Sequence, residues 1–254
     1  MIVIKSASEI ELMRRAGQVV ARVLLECEKM AKPGVKTIDL DRLAEDVIRK
    51  AAAQPSFKGY RPPGMTPFPG SICTSINEQV VHGIPGARRL EDGDILSIDV
   101  GACLGGFQGD ASTTLAIGNN VPKESLRLLD VTREALFRGI GKALDGLRLG
   151  DLSSAIGSFV EENGFSVVRD YVGHGIGQRM HEDPEIPNYG LPGTGPLLRE
   201  GMTLAIEPMV NAGAYATRML DNGWTVVTQD GSRSAHFEHT VAITAQGPEI
   251  LTML

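Results

Sequence analysis

The segment Ile95-Leu96-Ser97-Ile98-Asp99-Val100 is a short apolar run that follows the turn-forming sequence Asp92-Gly93-Asp94. Apolar runs of this length, bounded by turn residues, are typical of buried β-strands. A second turn, Leu104-Gly105-Gly106, separates this run from a further predicted strand between Gln108 and Ile117. The two strands are therefore predicted to pair in an antiparallel manner.

Predicted helices lie on both sides of this strand pair. The first begins near a capping box at Ser8–Glu11, the second runs from Thr37 to Ala51, and a third from Pro122 to Leu144. The segment 34–37 before the second helix resembles the segment 150–153, at an offset of 116 residues. We interpret this as a duplication that gives one domain, 1–254, with related halves near 1–120 and 121–254 and a cleft between them. Coincidence between two capped helices is the alternative.

Composition excludes several classes of protein. The 254 residues carry 25 Lys+Arg against 31 Asp+Glu, a net charge of −6, which argues against a nucleic-acid binder. The most apolar N-terminal stretch, 19–25, is interrupted by Arg22 and is too short to span a membrane. Cys27, Cys73 and Cys103 form neither a disulfide framework nor a metal-binding pair, so we expect a reducing cytoplasm.

Three carboxylates stand inside apolar strands: Asp99, Glu207 and Glu238. An unpaired buried carboxylate is costly or keeps its proton through a raised pKa, so each requires compensation. If the turn lies between Leu104 and Gly105, paired residues have numbers that sum to 209, which places Asp99 opposite Asp110. Two opposed aspartates favour a bound cation.

One histidine completes this set of candidate ligands. His174 is flanked by glycines in Gly173-His174-Gly175-Ile176-Gly177. Together with the four carboxylates Asp99, Asp110, Glu207 and Glu238 it forms an oxygen-rich set that suits Mn²⁺, Fe²⁺, Co²⁺ or Zn²⁺. Four negative charges balance two divalent ions, an arrangement that recurs in hydrolases. Alternatively, Asp110 alone is an edge residue, and His236 and His239 are packing or surface residues.

The motifs that carry a family resemblance run through most of the chain. They are Asn77-Glu78…His82-Gly83-Ile84-Pro85, Asp94-Ile95…Ile98-Asp99-Val100, Gly109-Asp110, 173–177, His181-Glu182, Ile206-Glu207-Pro208-Met209 and Glu238-His239-Thr240. In this order they resemble the motifs of type I methionine aminopeptidases. The resemblance implies the α+β pita-bread (creatinase/aminopeptidase) fold, in which two pseudo-symmetric halves enclose a dinuclear metal site.

The resemblance also implies a role for each motif residue. Asp110 and Glu238 would bridge two metal ions, Asp99 would bind one ion, and His174 with Glu207 would bind the other. His82 would contact the scissile amide nitrogen and His181 the scissile carbonyl, while Glu207 would also carry the proton to the leaving amine. The residues implied for the methionine pocket are Phe57, Tyr60, Phe68, Cys73, Met180 and Trp224, for which ordinary core packing is the alternative.

The function implied is a metal-dependent aminopeptidase that removes N-terminal methionine from peptides and nascent chains and prefers a small second residue. Its cofactor would be two divalent ions per chain, drawn from Co, Mn, Fe, Zn or Ni. A cytoplasmic monomer with transient ribosome contact, and without nucleic-acid or membrane partners, is expected. Two alternatives remain open: a prolidase or aminopeptidase P-like peptidase, although those generally carry a further N-terminal domain, and a non-catalytic binding protein of the same fold.

Overall fold

The computed structural model describes residues 1–254, with four helices and fifteen strands. The helices are α1 (Ala7–Met30), α2 (Thr37–Lys50), α3 (Lys123–Ile140) and α4 (Leu149–Glu162). The strands are β1 (Gln54–Pro55), β2 (Cys73–Ile76), β3 (Gln79–Val81), β4 (Ile95–Leu104), β5 (Phe107–Ala116), β6 (Ser166–Val167), β7 (Gly173–Gly175), β8 (Glu182–Ile186), β9 (Thr203–Ile206), β10 (Met209–Asn211), β11 (Thr217–Met219), β12 (Val226–Thr228), β13 (Ser234–His236), β14 (Glu238–Thr244) and β15 (Gly247–Ile250).

The predicted strand pair forms an antiparallel hairpin of β4 and β5, but its register differs from the prediction. Asp99 pairs with Ser112 and Asp110 with Gly101, so the paired numbers sum to 211 and the direct opposition of the two aspartates is wrong. The reason is the turn, in which Gly105 (φ 61°) and Gly106 (φ 84°) both occupy the left-handed region. This two-residue turn suits hairpin twist and moves the centre of the hairpin by one residue.

The hairpin is part of a nine-stranded sheet whose main path runs β1-β4-β5-β14-β9-β7-β8, with β15 beside β14 and β2 beside β4. Glu238 on β14 pairs with Ser112 on β5, so the C-terminal strands join the N-terminal hairpin directly. Two three-stranded sheets, β13-β10-β6 and β11-β12-β3, lie outside this path. Distant parts of the sequence therefore meet at the centre of the large sheet.

Each helix pair covers its own apolar core. Helix α1 packs on β4 and β5 with α2 beside it, in an apolar cluster that includes Val20, Leu40 and Ile98, whereas α3 and α4 share a separate cluster with residues of β9 and β14. Helix α1 approaches β5 so closely that a Cβ on Gly109 would lie 2.7 Å from the Gly17 nitrogen. Glycine at position 109 therefore permits this contact.

The helix boundaries correct two predicted features. The capping box of α1 is formed by Ser6 and Glu9, two residues before the predicted one. Helix α4 begins at Leu149, so segment 150–153 lies inside this helix and Ser153 is buried, whereas segment 34–36 precedes α2. The predicted correspondence of these two segments is therefore wrong, although each helix pair is followed by strands. None of the four helices is both long enough and apolar enough to cross a membrane.

Candidate metal and substrate site

The five predicted metal ligands line one cavity of about 240 Å³. They lie on neighbouring strands of the large sheet: Asp99 on β4, Asp110 on β5, Glu238 on β14, Glu207 directly after β9, and His174 on β7. Because alternate residues of a strand share a face, Asp110 and Ser112 point to the same side as Asp99, which pairs with Ser112. The corrected register thus keeps both aspartates on the face of the cavity.

Asp110, His174 and Glu238 form the tightest group, with one ligand atom of each within 4.8 Å of the others. The Nε2 atom of His174 lies 3.9 Å from Asp110 Oδ2 and 3.6 Å from Glu207 Oε1. Its Nδ1 atom lies 2.9 Å from the Gly175 carbonyl oxygen, so Nδ1 is the donor that this carbonyl requires. The lone pair of Nε2 is then directed at the carboxylates, as in metal-binding histidines.

A threonine hydroxyl aligns Asp110 with Glu238. The Thr240 hydroxyl accepts a hydrogen bond from the Asp110 backbone nitrogen at 3.0 Å and donates one to the Asp110 carbonyl oxygen at 2.8 Å. Thr240 and Glu238 lie on the same face of β14, since they are two residues apart. This side chain replaces the backbone pairing at the point where β5 and β14 diverge.

Several carboxylate oxygens of this site are buried without a hydrogen-bond partner. They are Asp99 Oδ1, Asp110 Oδ1 and Glu238 Oε1. Native proteins leave few buried polar atoms unpaired because each costs about 1–3 kcal/mol, and more when charged. Unpaired acidic oxygens that converge on one cavity are the donors that a hard or borderline divalent cation prefers, so these residues fit a metal site.

The electrostatics of the cavity agree with this interpretation. Burial raises the pKa of Asp99 to about 7 and that of Glu207 to about 8. Burial, and then repulsion by neighbouring carboxylates, also raises the pKa values of Asp110 and Glu238. Burial lowers the pKa of His174 to about 3, so its ring is neutral and free to act as a ligand. A cation would stabilise the ionised carboxylates that burial disfavours.

Two further histidines of the predicted site, His82 and His181, also line the cavity. His82 has a left-handed φ of 59°, a conformation that non-glycine residues adopt mainly where the surroundings enforce it. Burial lowers the pKa of His82 to about 4, so its ring is neutral. The ring centroid of His181 lies 4.4 Å from that of His174, and its Nδ1 atom lies 3.0 Å from the hydroxyl oxygen of Tyr60.

The apolar wall of the cavity contains most of the predicted methionine-pocket residues. Phe57, Tyr60, Phe68, Cys73 and Trp224 line it. The rings of Phe68 and Trp224 meet edge to face at 5.2 Å between centroids, and the Trp224 indole nitrogen donates to the Thr66 carbonyl oxygen at 3.0 Å. This hydrogen bond attaches the proline-rich segment 57–68 to the wall of the cavity.

Met180 is the one residue predicted for the methionine pocket that is not among the residues lining the cavity. Its side chain is buried in a separate apolar cluster with Met13, Phe107 and Ile176. Its terminal methyl lies 2.7 Å from the position that a Cβ on Gly101 would occupy. Because Gly101 pairs with Asp110, Met180 packs against the same face of the β4–β5 hairpin as the proposed ligands and close to Phe57, and its contact with the substrate methionine stays a prediction.

Several residues at the site were not predicted from the sequence. Tyr171, Met65, Pro62 and Met219 line the cavity but belong to no motif. His236, taken above as a packing or surface residue, is 2% exposed, and its Nε2 lies 3.4 Å from Glu207 Oε2. Its position two residues before Glu238 is the signal that could have indicated it, because alternate residues of an extended chain share a face.

Comparisons with known proteins are consistent with this geometry. Residues 11–245 match the model of metallopeptidase family M24. The methionine aminopeptidase of Clostridium acetobutylicum is 59% identical over 254 residues, which are 100% of this chain and 99% of that protein. The crystal structure of methionine aminopeptidase from Thermotoga maritima matches with a TM-score of 0.96 at 49% identity over 100% of both chains. Prolidase from Pyrococcus furiosus shares the fold, with a TM-score of 0.78 at 23% identity over 99% of this chain and 66% of that one.

Proposed function

Because the chain belongs to metallopeptidase family M24, we propose that it hydrolyses peptides with the aid of divalent metal and removes their N-terminal methionine. The predicted pita-bread fold and the predicted resemblance to methionine aminopeptidases are both confirmed by these matches. The observation that carries the proposal is the cavity itself, in which a group of buried acidic ligands adjoins a wall of aromatic side chains.

The metal would be held by Asp99, Asp110, His174, Glu207 and Glu238. We propose two ions per chain, since four carboxylates and one neutral imidazole balance the charge of two divalent cations. Mn, Fe, Co, Zn and Ni all suit such a donor set, and availability in the cell decides among them. When bound, the ions would polarise the scissile carbonyl and make water a stronger nucleophile at neutral pH.

The apolar wall would receive the methionine side chain of the substrate. Phe68, Cys73 and Trp224 are buried around this part of the cavity, and a flexible thioether packs well against aromatic rings. Because the carboxylates lie in the same cavity, a methionine bound here would present its own peptide bond to them. Because the apolar wall and the carboxylates share this one cavity, only the first peptide bond of the substrate would reach the carboxylates, and a single N-terminal residue would be released.

Two histidines and one carboxylate would act on the scissile bond. His82 would contact the amide nitrogen, and His181 would stabilise the negative charge that develops on the carbonyl oxygen. Glu207 would take a proton from the attacking water and pass it to the leaving amine. We also propose a small second residue, since His82 and Tyr171, with ring centroids 5.9 Å apart, limit the room beside the pocket.

The domain organisation follows from the origin of the ligands. We propose that residues 1–254 are one catalytic domain with halves 1–120 and 121–254, because Asp99 and Asp110 come from the first half and the other three ligands from the second. The substrates proposed include nascent chains, which implies a cytoplasmic enzyme with transient ribosome contact. We expect it to act as a monomer, since one chain contains every proposed ligand.

Turnover of two peptides tests the proposal. Purified protein supplied with Co²⁺ or Mn²⁺ is expected to release methionine from a Met-Gly-x peptide and to leave an x-Pro peptide intact. Cleavage of the x-Pro peptide alone would indicate a prolidase-like or aminopeptidase P-like enzyme. Failure to cleave either peptide while metal is bound would indicate a non-catalytic binding protein of the same fold.

A further inference from the structure

His236 lies directly behind Glu207, outside the cavity. Its side chain is buried, and its Nε2 atom has no hydrogen-bond partner. The nearest carboxylate oxygen is Glu207 Oε2, 3.4 Å away, and no other carboxylate lies within 4.0 Å of the ring nitrogens. The second oxygen of Glu207, Oε1, is 3.6 Å from His174 Nε2. The carboxylate of Glu207 is thus enclosed between two imidazoles.

The backbone of His236 is fixed on three sides, so its ring has a defined position. Its nitrogen donates to the Thr114 hydroxyl at 2.9 Å, and its carbonyl oxygen accepts from the hydroxyls of Thr114 and Ser112 at 2.8 Å and 3.2 Å. His236 also pairs with Met209 between β13 and β10. Because Met209 is two residues after Glu207, the same strand pairing that holds His236 also sets its distance from Glu207.

We propose that His236 is a positioning residue that donates a hydrogen bond from Nε2 to Glu207 Oε2 and holds this carboxylate in its working orientation. The inference rests on the proposed function of Glu207 as a metal ligand and proton carrier. The distance of 3.4 Å between His236 Nε2 and Glu207 Oε2 is slightly longer than the usual N–H···O donor–acceptor limit of about 3.2 Å. A small rotation of the carboxylate would bring the two atoms within that limit. The hydrogen bond would satisfy the unpaired ring nitrogen and leave Oε1 on the side of His174.

Such a contact affects both metal binding and turnover. Groups that orient a ligand from behind typically change metal affinity or activity by about 10–100-fold when they are removed. The Glu207 carboxylate is proposed to bind an ion and to carry a proton. Rotation of this carboxylate would therefore impair both metal binding and proton transfer. His236 does not line the cavity, and among the proposed ligands only Glu207 has a carboxylate oxygen within 4.0 Å of its ring nitrogens, so Glu207 is the ligand that it would position.

Two amide substitutions separate this role from simple packing. In His236→Gln the side-chain amide reaches the position of Nε2, whereas in His236→Asn it reaches only that of Nδ1. His239 provides a matched control, because it is three residues further on, its Nδ1 is 2.9 Å from the Thr252 hydroxyl, and it lies outside the catalytic cavity. His239→Gln and His239→Asn should leave both readouts within about two-fold of wild type.

The first readout is the affinity of metal-free protein for Mn²⁺, measured by calorimetric titration. The second is kcat and KM for a Met-Gly-x peptide at saturating Mn²⁺. His236→Asn is expected to lower the affinity for one ion about 10–100-fold and to lower kcat similarly, with KM within about three-fold. His236→Gln is expected to recover most of both losses, since it restores the donor to Glu207.

Other outcomes would overturn the inference. Wild-type affinity and kcat in His236→Asn would exclude a positioning role. Equal losses in the Gln and Asn variants, with lowered melting temperatures in both, would assign His236 to packing alone. Wild-type protein that neither binds Mn²⁺ nor cleaves the peptide would instead refute the proposed function, which separates the failure of the two ideas.

Discussion

Asp99 and Asp110 lie on one face of the β4–β5 hairpin but in adjacent same-face positions rather than opposite each other, because Asp99 pairs with Ser112 and Asp110 with Gly101. Each retains a buried oxygen without a hydrogen-bond partner. A cation held between them and Glu238 would satisfy these oxygens, which the hydrogen bond between the two carboxyl groups leaves unpaired. Without metal, these buried carboxyl groups should make the stability of the protein depend on pH.

The stability of metal-free protein should fall as the pH rises from 7 to 8. Glu207, with a pKa of about 8, and Asp110 and Glu238, whose pKa values are also raised, retain protons in the folded protein that the unfolded chain releases near pH 4. A folded pKa above the unfolded value contributes stability that is full below the unfolded pKa and is lost as the pH rises through the folded pKa. Above pH 7 the histidines, whose pKa values are lowered by burial, are largely neutral in both states and contribute little.

Urea unfolding at pH 7 and pH 8 measures this effect. Each carboxyl that keeps its proton lowers the free energy of unfolding by about 1.4 kcal/mol per pH unit, so these three groups together give an expected loss of about 3–4 kcal/mol. Asp110→Asn, which lacks one such group, should show a shallower decline. Added Mn²⁺ should stabilise the protein more at pH 8 than at pH 7, because metal competes with protons. Metal-free protein that gains stability over this interval would contradict the raised pKa values.

Glu238→Gln should abolish metal binding without unfolding the chain. Glutamine keeps the shape of the side chain but loses the charge, and at pH 7 it resembles the protonated acid that burial favours. Residues that only orient a metal ligand change metal affinity by up to ~100-fold when they are removed. Loss of a direct ligand should lower the affinity for Mn²⁺ by more than this, and activity should fall with it. Calorimetric titration together with circular dichroism checks both parts. Full metal content in this variant would remove Glu238 from the ligand set.

His82→Ala should separate catalysis from metal binding. His82 lines the cavity, but no carboxylate lies within 4.0 Å of its ring nitrogens. Loss of one donor to the reacting amide should lower kcat by about 10²–10³-fold, as for other single transition-state contacts. Metal analysis and steady-state kinetics on the same sample provide the measurement. If the variant loses metal, His82 is a ligand and its proposed role is wrong.

Phe68→Ala should weaken the recognition of methionine. Phe68 is buried against Trp224, and its removal opens the wall that the thioether would contact. Burial of a methionine side chain is worth about 1.5–3 kcal/mol, so loss of part of this contact should lower kcat/KM about ten-fold. Phe137→Ala, which alters an aromatic ring that is 42% exposed and lies outside the cavity, is the control. Equal losses in both variants would indicate general destabilisation rather than a methionine pocket.

The carboxylates proposed as ligands were predictable because a carboxylate inside an apolar strand is costly wherever the strand is placed. Asp99, Glu207 and Glu238 were recognised on this basis, whereas Asp110 was found through the assumed hairpin register and His174 through its flanking glycines. The position of Met180 was not predictable in the same way. Its motif places it beside His181, but the direction of its side chain depends on how the segment packs against Gly101, which a sequence does not express.

The contact between His236 and Glu207 was also not predictable from the sequence. The position of His236 two residues before Glu238 indicates a shared face, but its contact with Glu207 exists only because β13 pairs with β10 and aligns His236 with Met209. Local periodicity predicts which face of a strand is buried, since the side-chain repeat is fixed by the backbone. It does not predict which strands pair across long separations.

By itself, the sequence determined the proposed acidic ligands and the histidines beside them, the hairpin strands and the family motifs. The tertiary structure decided the register of that hairpin, the packing of Met180 against Gly101 and the approach of His236 to Glu207. The physical reason is that residue type and local spacing set what a side chain can do. Its partners are set by the turn conformation at Gly105 and Gly106 and by pairing between strands far apart in the chain.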